Sequence, residues 1–207
     1  MLDVHAPEHG IGGVRDFFIH LLTITVGLLI ALGLENAAEA MHHRHDRKEA
    51  EALIRQEIAA NRKVIVDGEA EFKTELDGMT RVLHTLDDMA QGQPGMLEEK
   101  DFQFHQAPMQ DSAWRTASST GVLSYMRYEE VQRFSDAYKE QDQLDAMEQL
   151  TLEDYLELMP LLSHFGGKIT PERAKEALPY ARRAVAHLNG MYFIGKGTYG
   201  SYTDALK

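Results

Sequence analysis

The sequence predicts an all-α protein, with a single N-terminal transmembrane helix that continues into a long helix and an antiparallel helical bundle. Three observations carry this expectation. Phe17–Leu34 reads FFIHLLTITVGLLIALGL, eighteen residues without Asp, Glu, Lys or Arg. From Glu35 to about Ala90 the chain is polar and helix-favouring, with its apolar residues on one helical face. Beyond that point no strand pair and no repeated unit stands out. The expected segments are a short tail at 1–16, the membrane helix at 17–34, a coiled-coil-like helix at 35–91, a loop at 92–110 and a bundle region at 111–207.

Composition narrows the function classes. The 207 residues carry 33 acids against 21 bases, a formal net charge of −12. Without a segregated basic face, that balance speaks against nucleic acid as a partner. Cysteine is absent, which removes disulfide scaffolds and thiol catalysis.

The membrane helix follows from length and chemistry. Eighteen residues at 1.5 Å each span about 27 Å, roughly one hydrocarbon thickness. Twelve of them are Phe, Ile, Leu or Val, contributing about −4 to −7 kcal/mol to insertion. His20 lies within a turn of the end, where it reaches the headgroups. Ala38-Glu39-Ala40 has the form of a signal-peptidase site, but the apolar run is longer than the usual signal core. Only Arg15 lies on the N-terminal side, against Arg44, Arg47 and Lys48 beyond the span. The positive-inside rule therefore predicts N-out, C-in, with the soluble part cytoplasmic. Thr23, Gly27 and Ala31 recur every four residues and let two such helices approach closely. The expected partners are the bilayer and a second copy or another membrane protein.

Ile54, Ile58, Ile65, Phe72, Leu76, Met79, Leu83 and Leu86 form the stripe of the long helix, spaced close to a heptad. Asp67-Gly68 and Asp77-Gly78 are its weak points, because each glycine costs about 1 kcal/mol in a helix interior. The stripe keeps phase across both, so one helix is expected rather than a hairpin. Gln91-Gly92-Gln93-Pro94-Gly95 ends it. Phe102, Phe104 and Met109 of the following loop are expected to tuck under the bundle.

Asp111 is the expected N-cap of the next helix, in which Ala113, Ala117 and Gly121 form a small-residue side. Trp114, the single tryptophan, is the expected core anchor. An acidic helix or helix pair follows from Tyr128 to His164, closed by Phe165-Gly166-Gly167. Thr170 then caps a last helix with Pro171 at its first position. Residues 168–207 carry seven bases and three acids. This basic helix is expected to lie against the acidic one through Arg182 and Arg183.

Candidate chemistry is sparse. His42, His43 and His45 follow the span, and Glu39 shares a face with His43 at i,i+4. These four are weak candidates for a divalent metal or a pH-responsive cluster, and His84 with Asp87 or Asp88 is the only other nearby pairing that could complete a metal site. The default reading places them among lipid headgroups. Gly190–Thr198 approximates a phosphate loop, and Gly195, Gly197 and Gly200 a dinucleotide fingerprint. Both need a strand before and a helix after them, which the sequence does not offer. It reads instead as a glycine-rich tail whose Tyr192, Phe193, Tyr199 and Tyr202 pack on the bundle or on a partner. Ser112, Ser118, Ser119, Thr116 and Thr120 cluster without a base or G-x-S-x-G. No catalytic residue, cofactor or enzyme activity is assigned.

The run His20–Glu35, followed by His42-His43-Arg44-His45, and the segment Ala113-Trp114-Arg115-Thr116-Ala117 with Thr120-Gly121 resemble a family of uncharacterised bacterial proteins. Its members have one N-terminal membrane helix and a helical remainder. The resemblance implies a bacterial inner-membrane location and transfers no activity. The expected function is a membrane-anchored interaction or scaffold protein that self-associates. The alternative is a membrane-anchored sensor or ligand-binding bundle, with a pocket near Trp114.

Overall fold

A computed structural model describes residues 13–161 and 169–207. Four α-helices account for most of them: α1 (Val14–Ala90), α2 (Ser112–Thr120), α3 (Tyr128–Leu161) and α4 (Pro171–Ala205). Short 3-10 turns lie at Glu99–Phe102 and Val122–Tyr125, and no strand occurs among the described residues. The all-helical class is as expected. Neither Gly68 nor Gly78 interrupts α1.

The chain divides into two compact units, Met1–Lys48 and Glu49–Lys207. In the first, the α1 residues from Phe17 to Leu34 are exposed on every side. This stretch makes α1 the one described helix long and apolar enough to cross a membrane. Thr23 and Thr25 return their hydroxyls to the carbonyls of Ile19 and Leu21, which satisfies them without water.

The second unit is built on three long helices. Asp154 on α3 meets Arg183 on α4, and Glu140 meets Thr198, so α3 and α4 run antiparallel. Asp87 and Arg55 of α1 meet Arg182 and Ala205 of α4, which is antiparallel again. Arg55 and Asn61, however, meet Glu130 and Gln141 of α3, so α1 and α3 run parallel. The expected antiparallel packing thus holds for two of the three pairs. A parallel pair needs a connection that travels the length of the helices, and residues 91–127 supply it.

Alanines explain how closely α4 packs. Ala174, Ala177, Ala181 and Ala184 are fully buried at spacings of three and four. This narrow ridge lets neighbouring side chains such as Met79, Leu86 and Leu158 fill the core around it. A second cluster gathers Ile54, Ile58, Phe134, Tyr138 and Tyr202. Of the predicted α1 stripe, Ile54, Ile58, Met79 and Leu86 are fully buried, while Ile65, Phe72, Leu76 and Leu83 pack half-buried on the core. Phe102, Phe104 and Met109 also pack against it, as the loop was expected to do.

Several local expectations change. Thr170 accepts from Arg173 N at 3.3 Å and Pro171 opens α4, both as read. The glycine-rich segment does not form a tail: α4 runs through it to Ala205. Tyr202 is fully buried, whereas Phe193 is exposed. Of the two arginines, Arg183 reaches α3, through Asp154 at 2.8 Å, while Arg182 pairs with Asp87 of α1 at 3.4 Å. The acidic helix is a single element to Leu161. His164 and the Phe165–Gly167 stop lie outside the described residues.

Candidate functional site

The segment between α1 and α2 is a strap held by side chains reaching out of the helices. From Arg81 to Glu57, α1 rises about 36 Å at 1.5 Å per residue. From Asp101 to Ser112 an extended chain covers about the same distance at 3.3 Å per residue. The strap is therefore nearly taut, and it runs antiparallel to α1. Arg81 grips Asp101 at 2.6 Å. Glu75 Oε2 accepts from His105 N at 3.2 Å, and Glu148 Oε1 of α3 accepts from Ala107 N at 2.9 Å. The Asn61 amide closes two bonds with the main chain of Gln110, donating at 2.6 Å and accepting at 2.9 Å. Gln141 donates to the same carbonyl and accepts from Asn61 and from Tyr202 Oη.

The strap ends at the N-terminus of α2, and there the expected cap is replaced. Asp111 holds the cap position, but its side chain makes no capping bond. The buried Glu57 carboxylate, arriving from α1, accepts from Ser112 Oγ, Ala113 N and Tyr138 Oη at 2.9, 2.9 and 2.6 Å. A carboxylate suits a helix N-terminus, where free N–H groups and the dipole favour negative charge. Burial and this carboxylate together push the Tyr138 hydroxyl far above its ordinary pKa. Trp114 stacks on Tyr138, with ring centroids 5.3 Å apart, and is half-buried. Ala117 is buried, and Gly121 ends α2 with φ +75°, a conformation that glycine adopts without strain.

Below the strap lies a cleft of about 690 Å³, walled by residues 64–75 of α1, residues 105–108, Leu144 and Glu148 of α3, and residues 191–199 of α4. Its volume is in the range that holds small molecules. At one edge Phe72 and Tyr192 stack face to face at 6.4 Å. Lys196 Nζ sits 4.3 Å over the Tyr192 ring. Asp67, Glu69, Glu71, Glu75 and Glu148 contribute five carboxyls to the lining, against the bases His105 and Lys196.

Glu75 is the most perturbed of these. It is 2% exposed, and its Oε1 has no hydrogen-bond partner. Burial pushes its carboxyl up to about 7, against the opposing pull of the His105 N–H and the Tyr155 hydroxyl, with Glu148 adding repulsion. Burial also raises Glu148. His105 Nδ1 lies 3.8 Å from Glu75 Oε2. The floor of the cleft thus sets Glu75, which exchanges its proton near neutrality, beside Glu148, whose carboxyl burial also shifts upward.

The residues singled out in the sequence fall elsewhere. Thr23, Gly27 and Ala31 lie exposed in the first unit, with nothing within 4 Å of a Cβ built on Gly27. Glu39 pairs with His43 at 3.4 Å, and His42 with Asp46 at 3.3 Å. Among the described residues, no three His, Asp or Glu side chains gather as a metal site. Trp114 is not on the cleft wall, so the pocket lies away from its expected place. The phosphate-loop-like run is helical within α4, where Tyr192, Lys196 and Tyr199 serve the cleft. Sequence reasoning missed Glu57, Asn61, Glu75 and Glu148. A signal was present for three: Glu57, Asn61 and Glu75 follow Ile54 by 3, 7 and 21 residues, in phase with the apolar stripe.

No protein-family model, no curated protein and no solved structure matches this chain.

Proposed function

We propose that this protein is a membrane-anchored helical module that works by binding, and that its soluble bundle receives a small ligand in the cleft between α1, the strap and α4. The observation that carries the reading is the cleft itself, about 690 Å³ and lined by aromatic faces and ionisable groups. The strap supports a binding role rather than a catalytic one. Glu75 and Glu148 each spend one oxygen holding its main chain. The exposed apolar stretch from Phe17 to Leu34 supports single-pass anchoring. Arg44, Arg47 and Lys48 against Arg15 favour N-out, C-in. The family resemblance favours a bacterial inner membrane.

A second reading, self-association as a scaffold, is favoured by the exposed Thr23, Gly27 and Ala31 on one helix face. Oligomer mass in detergent tests it. A dimer that Gly27→Leu converts to monomer is expected, and a monomeric parent refutes it. Paired fusions of a fluorescent protein and alkaline phosphatase after Lys207 test the topology: a fluorescent, phosphatase-silent membrane fraction is expected. The binding reading is tested by screening small molecules against the full chain in lipid nanodiscs, followed by calorimetry. Saturable binding that Tyr192→Leu weakens is expected; no binder at millimolar concentration refutes it.

A further inference from the structure

We propose that the cleft is selective for organic amines, with a cationic head and a compact apolar or aromatic body. The inference rests on the ligand-binding reading and adds the chemical class of the ligand.

Three independent features converge on it. The first is charge: the lining carries five carboxyls against one lysine and one histidine. With Asp67 paired to Lys63 and Glu75 part-protonated near neutrality, the exposed Glu69 and Glu71 keep the balance negative, so a cation entering it is attracted and an anion repelled. The second is shape and surface. Phe72, Tyr192 and Tyr199 line a space of about 690 Å³, which suits a flat or aliphatic body with a single polar end. The third is that a cation already rests there. The Lys196 ammonium lies 4.3 Å over the Tyr192 ring, within the range in which an ammonium is attracted to an aromatic face. Lys196 belongs to the chain and sits on a flexible stem, so it marks the position that a ligand ammonium takes when the side chain swings away.

The cleft floor adds a consequence that simple stickiness lacks. Glu75 faces Glu148 and Tyr155 from α3 and His105 from the strap, while Lys196 enters the lining from α4. A cation arriving in this acidic space favours the charged form of Glu75, so binding near neutral pH expels protons. The number expelled is read by calorimetry in buffers of different ionisation heat.

The test uses the full chain in zwitterionic nanodiscs, with empty discs as the control, and three probes of one shape. These are 2-phenylethylamine (cation), 2-phenylethanol (neutral) and 3-phenylpropionate (anion). The amine is expected to bind about ten-fold tighter than the other two, the scale of one desolvated cation–π contact. Tyr192→Leu is expected to remove that preference, and Lys196→Met to strengthen amine binding by vacating the ring. The unchanged Trp114 spectrum certifies the fold of each variant. Equal or tighter binding of the alcohol or the acid overturns the cation assignment while leaving the cleft as a ligand site. Absence of binding by all three probes, with Lys196→Met also silent, overturns the amine assignment. Amine binding indifferent to both substitutions places it outside the cleft and overturns the proposal too.

Discussion

Gly68 and Gly78 look alike in the sequence, each following an aspartate in the middle of a long helix, yet their replacement by alanine should change stability in opposite directions. A Cβ at Gly68 meets nothing within 4 Å. Gly68→Ala therefore collects the helix-propensity gain alone, about 1 kcal/mol. At Gly78 the strap crosses the helix. A Cβ there would lie 2.9 Å from the Asp101 carbonyl oxygen, 3.2 Å from its Cα and 3.3 Å from its carbonyl carbon. All three are main-chain atoms, and Asp101 is buried and pinned by Arg81 at 2.6 Å. Relief requires moving the strap and loosening that pair. Overpacking of this kind costs about 1–3 kcal/mol, and the broken pair adds to it. After the propensity gain, Gly78→Ala should lose about 1–2 kcal/mol. For a protein of this size each kcal/mol moves Tm by about 2–4 °C. The two variants should therefore melt on opposite sides of the parent when Trp114 fluorescence is followed in detergent. If Gly78→Ala stabilises as much as Gly68→Ala, the strap does not cross where described.

Glu57→Ala should cost about 2–4 kcal/mol in urea unfolding, since it strands Tyr138 Oη, Ser112 Oγ and the first N–H groups of α2; a loss below 1 kcal/mol would contradict the capping role. Arg183→Glu should lower Tm by several degrees by leaving the buried Asp154 beside a like charge, while Arg182→Glu, an exposed partner of Asp87, should change it little. Stability should fall as pH rises from 4.5 to about 7, because folded Glu75 keeps a proton that the unfolded chain has released. Urea midpoints at pH 5 and pH 8 measure this, the drop staying below about 3 kcal/mol and flattening in Glu75→Gln.

Much of the fold was legible because helices announce themselves by period. The α1 stripe, the Thr170–Pro171 start and the stop after Ala90 all rest on local rules that tertiary context did not override. The site was less legible for a physical reason. In a chain with 33 acids, a glutamate reads as solvated surface, and only burial separates Glu57, Glu75 and Glu148 from the rest. The stripe held a clue in its gaps: between Ile58 and Ile65 stands Asn61, and between Phe72 and Met79 stands Glu75. Both are polar residues on the inward face. Gly78 was legible as a weakness but not as clearance, because the main chain that needs the room lies 23 residues further on, at Asp101. The strap was legible only through Phe102, Phe104 and Met109, for a related reason. Past Asp101 its hydrogen bonds to Glu75, Glu148 and Asn61 use its main chain, so they leave no pattern in its side chains.

That last property bears on how the protein folds. Glu75, Glu148 and Asn61 are buried acceptors with partners in a segment of almost no regular structure, and Glu57 accepts from the start of α2, where that segment ends. Were the long helices to associate first, those groups would be shut away from water unbonded, at a penalty of a few kcal/mol each. Were the strap to settle first, it would have nothing to settle on. Helix packing and strap docking must therefore occur together, in one all-or-none transition. Cutting the chain between Gln103 and Gln110 would then act on the whole bundle, unzipping it from the middle of its apparent loop.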